Sequence, residues 1–524
     1  MNGEVWKNAA VGTLVAGALA TGVVVLVPRD EPAPPPSPGA AARARAAAGA
    51  GAPASLADLG ALIADRERWL AKHPRDEESW AVLGAAYTER GVRLAEWTAY
   101  PKAEKALRRS LKVMPGEKGN TEALLGLAAL ANARQDFPAA RGFAELARKQ
   151  RPRRWTVYPV LIETYSGLGD HKSVGKSLDS LQKLYAGSRA RAVSAQVYRD
   201  RGWREDAAAN AYDAVGAAQG PAEKAAALWR LGELAWERGE PAEAVDSYSV
   251  ALRLAPDHHV ALASRGRALG ALGRSKEAFR DYQAALAKMP LPEYALEVAE
   301  LYSSLGLDGG AVSQYERVRT SAEEAAEHGV NVELVLGRYE ADHGDADAAV
   351  RRLRAEWDRG RHSVQMADAL GWALFRAGRA REALPFARRA TKDGPRRPLF
   401  AYHRGEIERA LALDGPARRH IAEALRINPY FSPLLAPAAR RTLAALGEPG
   451  EGGPKGMTGR EGEGEGGDTS GAPGAPGAAA GAPGTAGASG TAAGAAGASG
   501  TAAGAGAGTP GAGTVARGTG TTRE

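Results

Sequence analysis

Cysteine is missing from this chain of 524 residues, and a marked excess of charge of either sign is missing as well. The lack of cysteine excludes disulfide bonds, thiolate metal sites and a cysteine nucleophile. Lysine and arginine number 68 against 61 aspartates and glutamates, so the net charge of +7 is small for the length. Basic clusters occur, as in 148–154 and 379–389, but no nucleic-acid-reading motif accompanies them. Composition therefore excludes several chemistries and gives little reason to expect nucleic-acid binding.

Catalytic and cofactor-binding motifs are also missing. The segment 175–177, Gly-Lys-Ser, ends like a phosphate-binding loop, but Asp170 occupies the place of the required first glycine. His343 lies among the aspartates of 342–347 without the spacing of a calcium loop, and we expect these carboxylates to cap a helix. Neither His-Glu-x-x-His nor Gly-x-Ser-x-Gly occurs. The sequence therefore predicts no catalytic residue, no metal, no cofactor and no enzyme.

What the sequence does contain is a repeat of 34 residues. Pro256 and Pro290 are separated by this distance, and so are Pro395 and Pro429. Apolar and small residues precede the prolines at matching places. Before Pro256 these residues are Leu228, Leu231, Gly232, Ala235, Gly239, Ala244, Tyr248, Ala251 and Leu252. Before Pro290 the matching residues are Leu262, Gly266, Leu269, Gly273, Ala278, Tyr282, Ala285 and Leu286.

Each repeat is predicted to be a pair of helices. Apolar and small residues recur at three- and four-residue steps over 228–235 and again over 244–252, and each run makes one apolar helix face. Gly239 suits a left-handed cap that ends the first helix, and Pro241 suits the first turn of the next. Alanines in the second run allow close approach of two backbones, while Tyr248 fills the wider gap. One pair cannot bury its apolar face alone, so several pairs must stack.

The period and the residue types resemble the tetratricopeptide repeat, and the resemblance covers residues 55–446. It implies an all-α fold, a right-handed α-solenoid of about ten helical hairpins. Lone helices at 56–70 and 437–446 are expected to cap the two ends. Tetratricopeptide arrays are generally protein- or peptide-binding scaffolds, and the resemblance implies that role here.

The amino terminus predicts a membrane anchor. After a short leader, 1–8, residues 9–27 carry no charge and are long enough to cross the hydrocarbon core as one helix. The prediction is a single-pass protein of the cell membrane, with a cleaved secretory signal as the alternative. Basic residues after the span favour a cytoplasmic array. The short leader resembles an uncleaved export signal, so we expect the extracytoplasmic side and keep the cytoplasmic side as the alternative.

Two segments are predicted to lie outside the packed core. Residues 28–54 are rich in proline and alanine and are expected to form a semi-rigid spacer. Residues 447–524 contain Met457 and Val515 as their only large apolar side chains, in a background of glycine, alanine and threonine. Such a segment cannot offset the entropy of ordering by burial, so we expect a disordered tail.

The first helices of the hairpins should present the binding face. Aromatic and arginine side chains are typical anchors of interfaces. The simpler alternative is that the tryptophans only pack between neighbouring hairpins. The same face of the early repeats is small and apolar, as at Ala81 and Ala85, which does not support a clamp for chaperone carboxyl termini. The predicted groove consists of Trp229, Glu233, Trp236, Arg267, Glu300, Arg338, Trp372, Phe375, Tyr402, Glu406 and Arg409.

The resulting hypothesis is a membrane-tethered scaffold that binds another protein or peptide through the concave face of its solenoid. The alternative hypothesis is a subunit of a regulatory or catalytic complex whose array contacts nucleic acid or an enzyme. We expect neither a small-molecule substrate nor nucleic acid as the main partner, because no motif for either is present.

Overall fold

The computed structural model describes residues 38–49, 54–94, 96–392 and 396–447. All of them lie in one compact unit, Met1–Glu451. The predicted leader and membrane segment, residues 1–27, lie outside the described residues, and so does the predicted tail after residue 447. The described residues form helices and turns, with no strand among them.

The helices are numbered in chain order. They are α1 (Ala40–Gly49), α2 (Leu56–Lys72), α3 (Glu77–Leu94), α4 (Ala99–Val113), α5 (Thr121–Ala133), α6 (Phe137–Gln150), α7 (Val157–Leu168), α8 (His171–Leu184), α9 (Ser188–Asp200), α10 (Arg204–Ala217), α11 (Pro221–Glu237), α12 (Pro241–Leu254), α13 (His259–Ala271), α14 (Ser275–Lys288), α15 (Pro292–Ser304), α16 (Asp308–Glu327), α17 (Glu333–His343), α18 (Ala346–Asp358), α19 (Val364–Arg376), α20 (Ala380–Lys392), α21 (Pro398–Ala410), α22 (Asp414–Ile427) and α23 (Leu435–Ala445). A single 3-10 turn, Gly116–Lys118, lies between α4 and α5.

From α3 to α22 the described helices associate in ten successive pairs, which we number as hairpins 1 to 10. The ten most extensive helix-to-helix contacts are those within these pairs. Hairpin 1 is α3 with α4, hairpin 5 is α11 with α12, and hairpin 10 is α21 with α22. The predicted all-α array of about ten helical hairpins is therefore confirmed.

The turn of hairpin 5 shows why the chain reverses where it does. Gly239 follows α11 with φ of 78°, a left-handed conformation that costs glycine little. Its amide donates to the carbonyl of Trp236, and the amide of Glu240 donates to that of Ala235 at 3.1 Å. Pro241 then occupies the first turn of α12, where no amide donor is needed. The predicted cap and helix start are both confirmed.

Within a hairpin the two helices meet where a glycine faces a large side chain. A Cβ atom placed on Gly232 would lie 2.4 Å from Cε1 of Tyr248, which is fully buried. That distance is far below a van der Waals contact, so only glycine fits. Equivalent pairs recur along the array. They are Gly84 with Leu107, Gly266 with Tyr282, Gly337 with Leu353 and Gly405 with Ile421.

Helix α1 lies inside the segment predicted to be an extended spacer. Seven of its ten residues are alanine, which has the highest helix propensity of any residue. Ala44 is buried, and Arg43 forms an ion pair with Asp58 of α2 at 2.6 Å. Residues 40–49 of the predicted spacer are therefore helical, because alanine content and packing on α2 outweigh the flanking prolines and glycines.

The predicted location in a membrane is corrected. In the part of the chain that the structure describes, no helix is both long enough and apolar enough to span a bilayer. The longest described helix, α16, has 20 residues and carries acidic and basic side chains along its length. By this finding the predicted single-pass location is wrong. The segment 9–27, on which that prediction rested, is outside the described residues.

Hairpins that are five or six positions apart touch each other. The ends of the first helices of hairpins 2 to 5 contact the segments that precede α17, α19 and α21 and the one that follows α22. The hydrogen bonds are Asn331 N to Arg134 O (2.8 Å), Arg361 Nη2 to Gln135 Oε1 (2.6 Å), His362 N to Leu168 O (3.2 Å), Arg397 Nη2 to Asp200 Oδ1 (3.3 Å) and Asn428 Nδ2 to Trp236 O (2.7 Å). These contacts bring the early and late hairpins together.

The glycine contact predicts the effect of one methyl group. Gly232→Ala should lower the thermal unfolding midpoint, because the new Cβ displaces the buried ring of Tyr248, at a cost of about 1–3 kcal/mol. Circular dichroism at 222 nm during heating measures this midpoint.

Gly142→Ala is the matched control, because nothing lies within 4 Å of a Cβ built on this exposed position of α6. It should leave stability unchanged or raise it by about 0.5–1 kcal/mol through helix propensity. Equal midpoints for the two variants would contradict the close approach.

Candidate partner-binding cavities

A cavity of about 540 Å³, which we name the later cavity, lies among the first helices of hairpins 5 to 10. Residues from α11, α13, α15, α17, α19 and α21 line it, and residues 429–440 line the remaining side. Its polar and aromatic lining includes Trp236, Arg267, Glu297, Glu300, Arg338, Asp342, Asp368, Trp372 and His403. First helices thus form most of its wall.

Five of the residues predicted for the groove line this cavity. They are Trp236, Arg267, Glu300, Arg338 and Trp372. They come from five successive hairpins, 5 to 9, and stacking of the first helices brings them together. The structure places them around one space, and their role in binding stays a prediction.

Both tryptophans of the later cavity are also packed into the protein. Trp372 is 4% exposed, and its Nε1 donates to Asp342 Oδ1 at 3.0 Å. One face of its ring stacks on His403 with ring centroids 4.0 Å apart. Trp236 is 8% exposed, and the guanidinium of Arg267 lies 4.9 Å from its ring. Each ring therefore contributes to packing as well as to the cavity wall.

The other six predicted residues do not line the later cavity. Trp229 donates from Nε1 to Ser264 Oγ at 3.0 Å, so it packs between hairpins, as the simpler alternative proposed. Phe375 contacts the ring of Trp372, and Tyr402 packs near Phe431. Glu233, Glu406 and Arg409 are held in ion pairs with neighbours on their own or an adjacent first helix.

A buried network connects hairpins 5 and 6 beneath the cavity. Arg267 donates to Glu233 at 2.8 Å, and the hydroxyl of Tyr248 donates to the same carboxylate oxygen at 2.6 Å. Burial and the charge of Glu233 raise the pKa of Tyr248 well above its usual value. Burial acts to lower the pKa of Arg267, but the carboxylates of Glu233 and Glu297 hold it above its usual value. The network is therefore charged and fixed in place.

Asp368 and His403 form a pair that the sequence analysis missed. Nδ1 of His403 lies 3.0 Å from Asp368 Oδ1, so the ring donates this proton to the carboxylate. Both side chains are buried, and Nε2 of His403 has no hydrogen-bond partner among the described residues. The two positions are 35 residues apart, like Trp229 and Ser264. A search of the sequence for polar side chains 35 residues apart on neighbouring first helices could have identified this pair.

Glu300 is the most perturbed acid of the later cavity. It makes no hydrogen bond and no ion pair with a described residue. Burial, together with the carboxylates of Asp342 and Glu297, raises its pKa to about 8 despite the opposing charge of Arg338. The cause is an excess of negative charge in a partly dehydrated space.

A second cavity, of about 790 Å³, lies among hairpins 1 to 8, and we name it the earlier cavity. Ala129, Ile162 and Val193 give it small and apolar walls, in line with the expectation for the early repeats. Polar groups also line it, among them Arg230 and Glu293. Burial and the charges of Arg189 and Arg199 lower the pKa of Arg230 to about 10.

The acidic segment 342–347 caps a helix, as predicted. Asp345 Oδ1 accepts from the amide of Asp347 at 2.9 Å at the start of α18. His343 packs with its ring centroid 4.3 Å from that of Tyr315. Within the described ranges, no group of three or more histidine, aspartate or glutamate side chains is arranged to hold a metal ion.

Comparison with known proteins yields likenesses of structure alone. No family model matches the chain, and no curated protein matches its sequence. A tetratricopeptide-repeat protein from Parabacteroides merdae is 18% identical, with coverage of 49% of this chain and 98% of that one and a TM-score of 0.31. Yeast Tom70 is 12% identical (71% and 96% covered, TM-score 0.31). A human IFIT1 dimer with PPP-AAAA is 16% identical (67% and 81% covered, TM-score 0.41).

The helix pairs and their 34-residue period decide the fold class, because none of these TM-scores reaches 0.5. The fold of the described residues is tetratricopeptide-like. Hairpin 5 has the predicted glycine cap and the proline at the start of its second helix, and the first helices of the array stack along one side.

The environment of Glu300 predicts a pH-dependent stability. A carboxyl whose pKa is raised on folding binds a proton more tightly in the native state, so its contribution is present below the unfolded pKa and is lost as pH rises towards about 8. Glu300→Gln should therefore match the wild type at pH 4 and have the higher unfolding midpoint at pH 9. Glu324→Gln, on the exposed side of α16, should show no such divergence. Parallel curves for Glu300→Gln and wild type would contradict the assignment.

The contact between hairpin 5 and the end of hairpin 10 can be tested through Asn428. This buried side chain donates to the carbonyl of Trp236 and accepts from the amide of Tyr430. Asn428→Ala removes both hydrogen bonds, so the amide of Tyr430 loses its partner and the carbonyl of Trp236 keeps the amide of Gly239, at a cost of about 1–3 kcal/mol. Amide hydrogen exchange should accelerate in residues 429–437 and at the end of α11. Unchanged exchange at both places would show that the contact does not hold them.

Proposed function

We propose that the array is a protein-interaction scaffold that holds a segment of a partner protein in the later cavity. The observation that carries the proposal is the composition of that cavity. Trp236, Trp372, Tyr430 and Phe431 give it aromatic walls, and Arg338 adds an arginine to them. Aromatic and arginine side chains are the residues that dominate the energetics of protein interfaces.

The volume of the later cavity favours an extended segment over a folded domain. At about 540 Å³ it has the size of a pocket for a small molecule, which is room for a few side chains. The walls come from six first helices, so a segment lying across them would contact several hairpins at once. A partner segment that is disordered when free would order on binding.

Charge does not favour nucleic acid as the partner. The later cavity contains Glu297, Glu300, Asp342 and Asp368 besides its arginines, and these carboxylates would repel phosphates. The basic clusters on the surface are partly neutralised. Arg154 is ion-paired with Glu122 and Arg379 with Glu382. The observations thus support a protein partner over the alternative of nucleic-acid contact.

Blocking the cavity tests the proposal without disturbing its buried tryptophans. Ser304 is exposed at the end of α15 and lines the later cavity, so Ser304→Trp should fill its entrance. Thr320→Trp adds the same side chain at an exposed position of α16 that lines neither cavity. Affinity capture with mass spectrometry should then recover a partner with wild type and Thr320→Trp but lose it with Ser304→Trp.

Trp372→Ala is a second variant for the same capture experiment. It removes an aromatic wall and the hydrogen bond to Asp342, so capture should weaken at least tenfold while the helical circular-dichroism signal persists. A partner that is retained by Ser304→Trp would place the binding surface elsewhere. Collapse of the helical signal in Trp372→Ala would assign that residue to the core, and Ser304→Trp would then decide the outcome.

A further inference from the structure

The polar groups of the later cavity are mostly satisfied by one another. Asp342 accepts from Trp372 and pairs with Arg376 at 3.4 Å. Glu297 accepts from the hydroxyl of Tyr282 at 2.9 Å. Arg440, which also lines the cavity, donates to the carbonyl of Pro429. These pairings leave few groups free for a ligand.

Apart from Nε of Arg267, three carboxyl groups, guanidinium groups or ring nitrogens of the lining remain without a partner among the described residues. They are the carboxyl of Glu300, the guanidinium of Arg338 and Nε2 of His403. His403 is 5% exposed, and in the tautomer that carries its proton on Nδ1, facing Asp368, its Nε2 is an acceptor. An unfilled acceptor and an unpaired carboxyl in the wall of one cavity mark its lining as incomplete.

The charges of the side chains that line the later cavity indicate which class of ligand it binds. Four carboxyl groups line the cavity against three guanidinium groups, and one of those, Arg267, is already paired with Glu233. The two unfilled acceptors, Glu300 and His403, need a ligand that donates hydrogen bonds and carries positive charge. Leu296, Leu301 and Leu305 line the same cavity and offer an apolar surface for an aliphatic stem.

We propose that the later cavity takes a lysine or arginine side chain of the partner segment, with its charged end on Glu300 and its stem on the leucines. The proposal rests on the proposed function and names the residue class that the cavity selects. Arg338 opposes this ligand, because it brings a second positive charge to the same space. Glu300 and Arg338 should therefore have opposite effects on binding.

The test selects ligands from a phage library of random seven-residue peptides on the full-length protein at pH 8.5, where Glu300 is ionised. Wild type and the control Glu324→Gln should enrich peptides with a basic residue at one position. Glu300→Gln should lose this enrichment, and Arg338→Gln should retain or strengthen it. Replacing the selected basic residue by norleucine should weaken binding to wild type roughly tenfold or more and binding to Glu300→Gln little.

Three results would overturn the proposal. One is enrichment of acidic residues that disappears in Arg338→Gln, which would make the cavity an anion site. Another is the same basic enrichment in Glu300→Gln, which would place the contact elsewhere on the chain. The third is no enrichment of basic residues in wild type. If Ser304→Trp still abolishes capture of the protein partner in any of these cases, the scaffold function stands and only the ligand class is wrong.

Discussion

The close approach between a glycine of the first helix and a large side chain of the second is the constraint on which the rest of the structure depends. At Gly232 and Tyr248 there is no room for a methyl group, and the same contact recurs at Gly337 and Leu353. Because this contact fixes how near and in what register the two helices lie, the five hairpins that contain it share nearly the same form. Equal hairpins stack in a regular way, and regular stacking brings their first helices side by side.

The residues that fill the hairpins also organise the charges. Tyr248 fills the space against Gly232, and its hydroxyl reaches Glu233, while the hydroxyl of Tyr282 reaches Glu297 on the next first helix. Buried carboxylates are costly unless they are hydrogen-bonded and paired. Arg267, between the two, meets that requirement for Glu233 at 2.8 Å. The packing of the core and the electrostatics of the cavity are thus parts of one arrangement.

The later cavity departs from this arrangement at a few positions. Glu300, Arg338 and His403 Nε2 have no hydrogen-bond or ion-pair partner within the described residues, whereas Glu233 and Arg267 on neighbouring first helices pair with each other. Leaving a carboxyl or a ring acceptor unpaired costs stability, and a ligand that donates to Glu300 recovers that free energy on binding. Together with the aromatic lining from Trp236, Trp372, Tyr430 and Phe431, this is the physical reason for proposing that the later cavity binds a partner segment.

The sequence by itself determined the hairpins, because helix faces, the cap at Gly239 and the helix start at Pro241 depend on residues close together along the chain. It also located five of the cavity residues, since a 34-residue period places equivalent positions on one side. Only the tertiary structure decided that hairpins five or six positions apart touch, that residues 429–440 complete the cavity wall, and that His403 pairs with Asp368. A small rotation between neighbouring hairpins adds up over six of them, and local patterns of residues do not specify that sum.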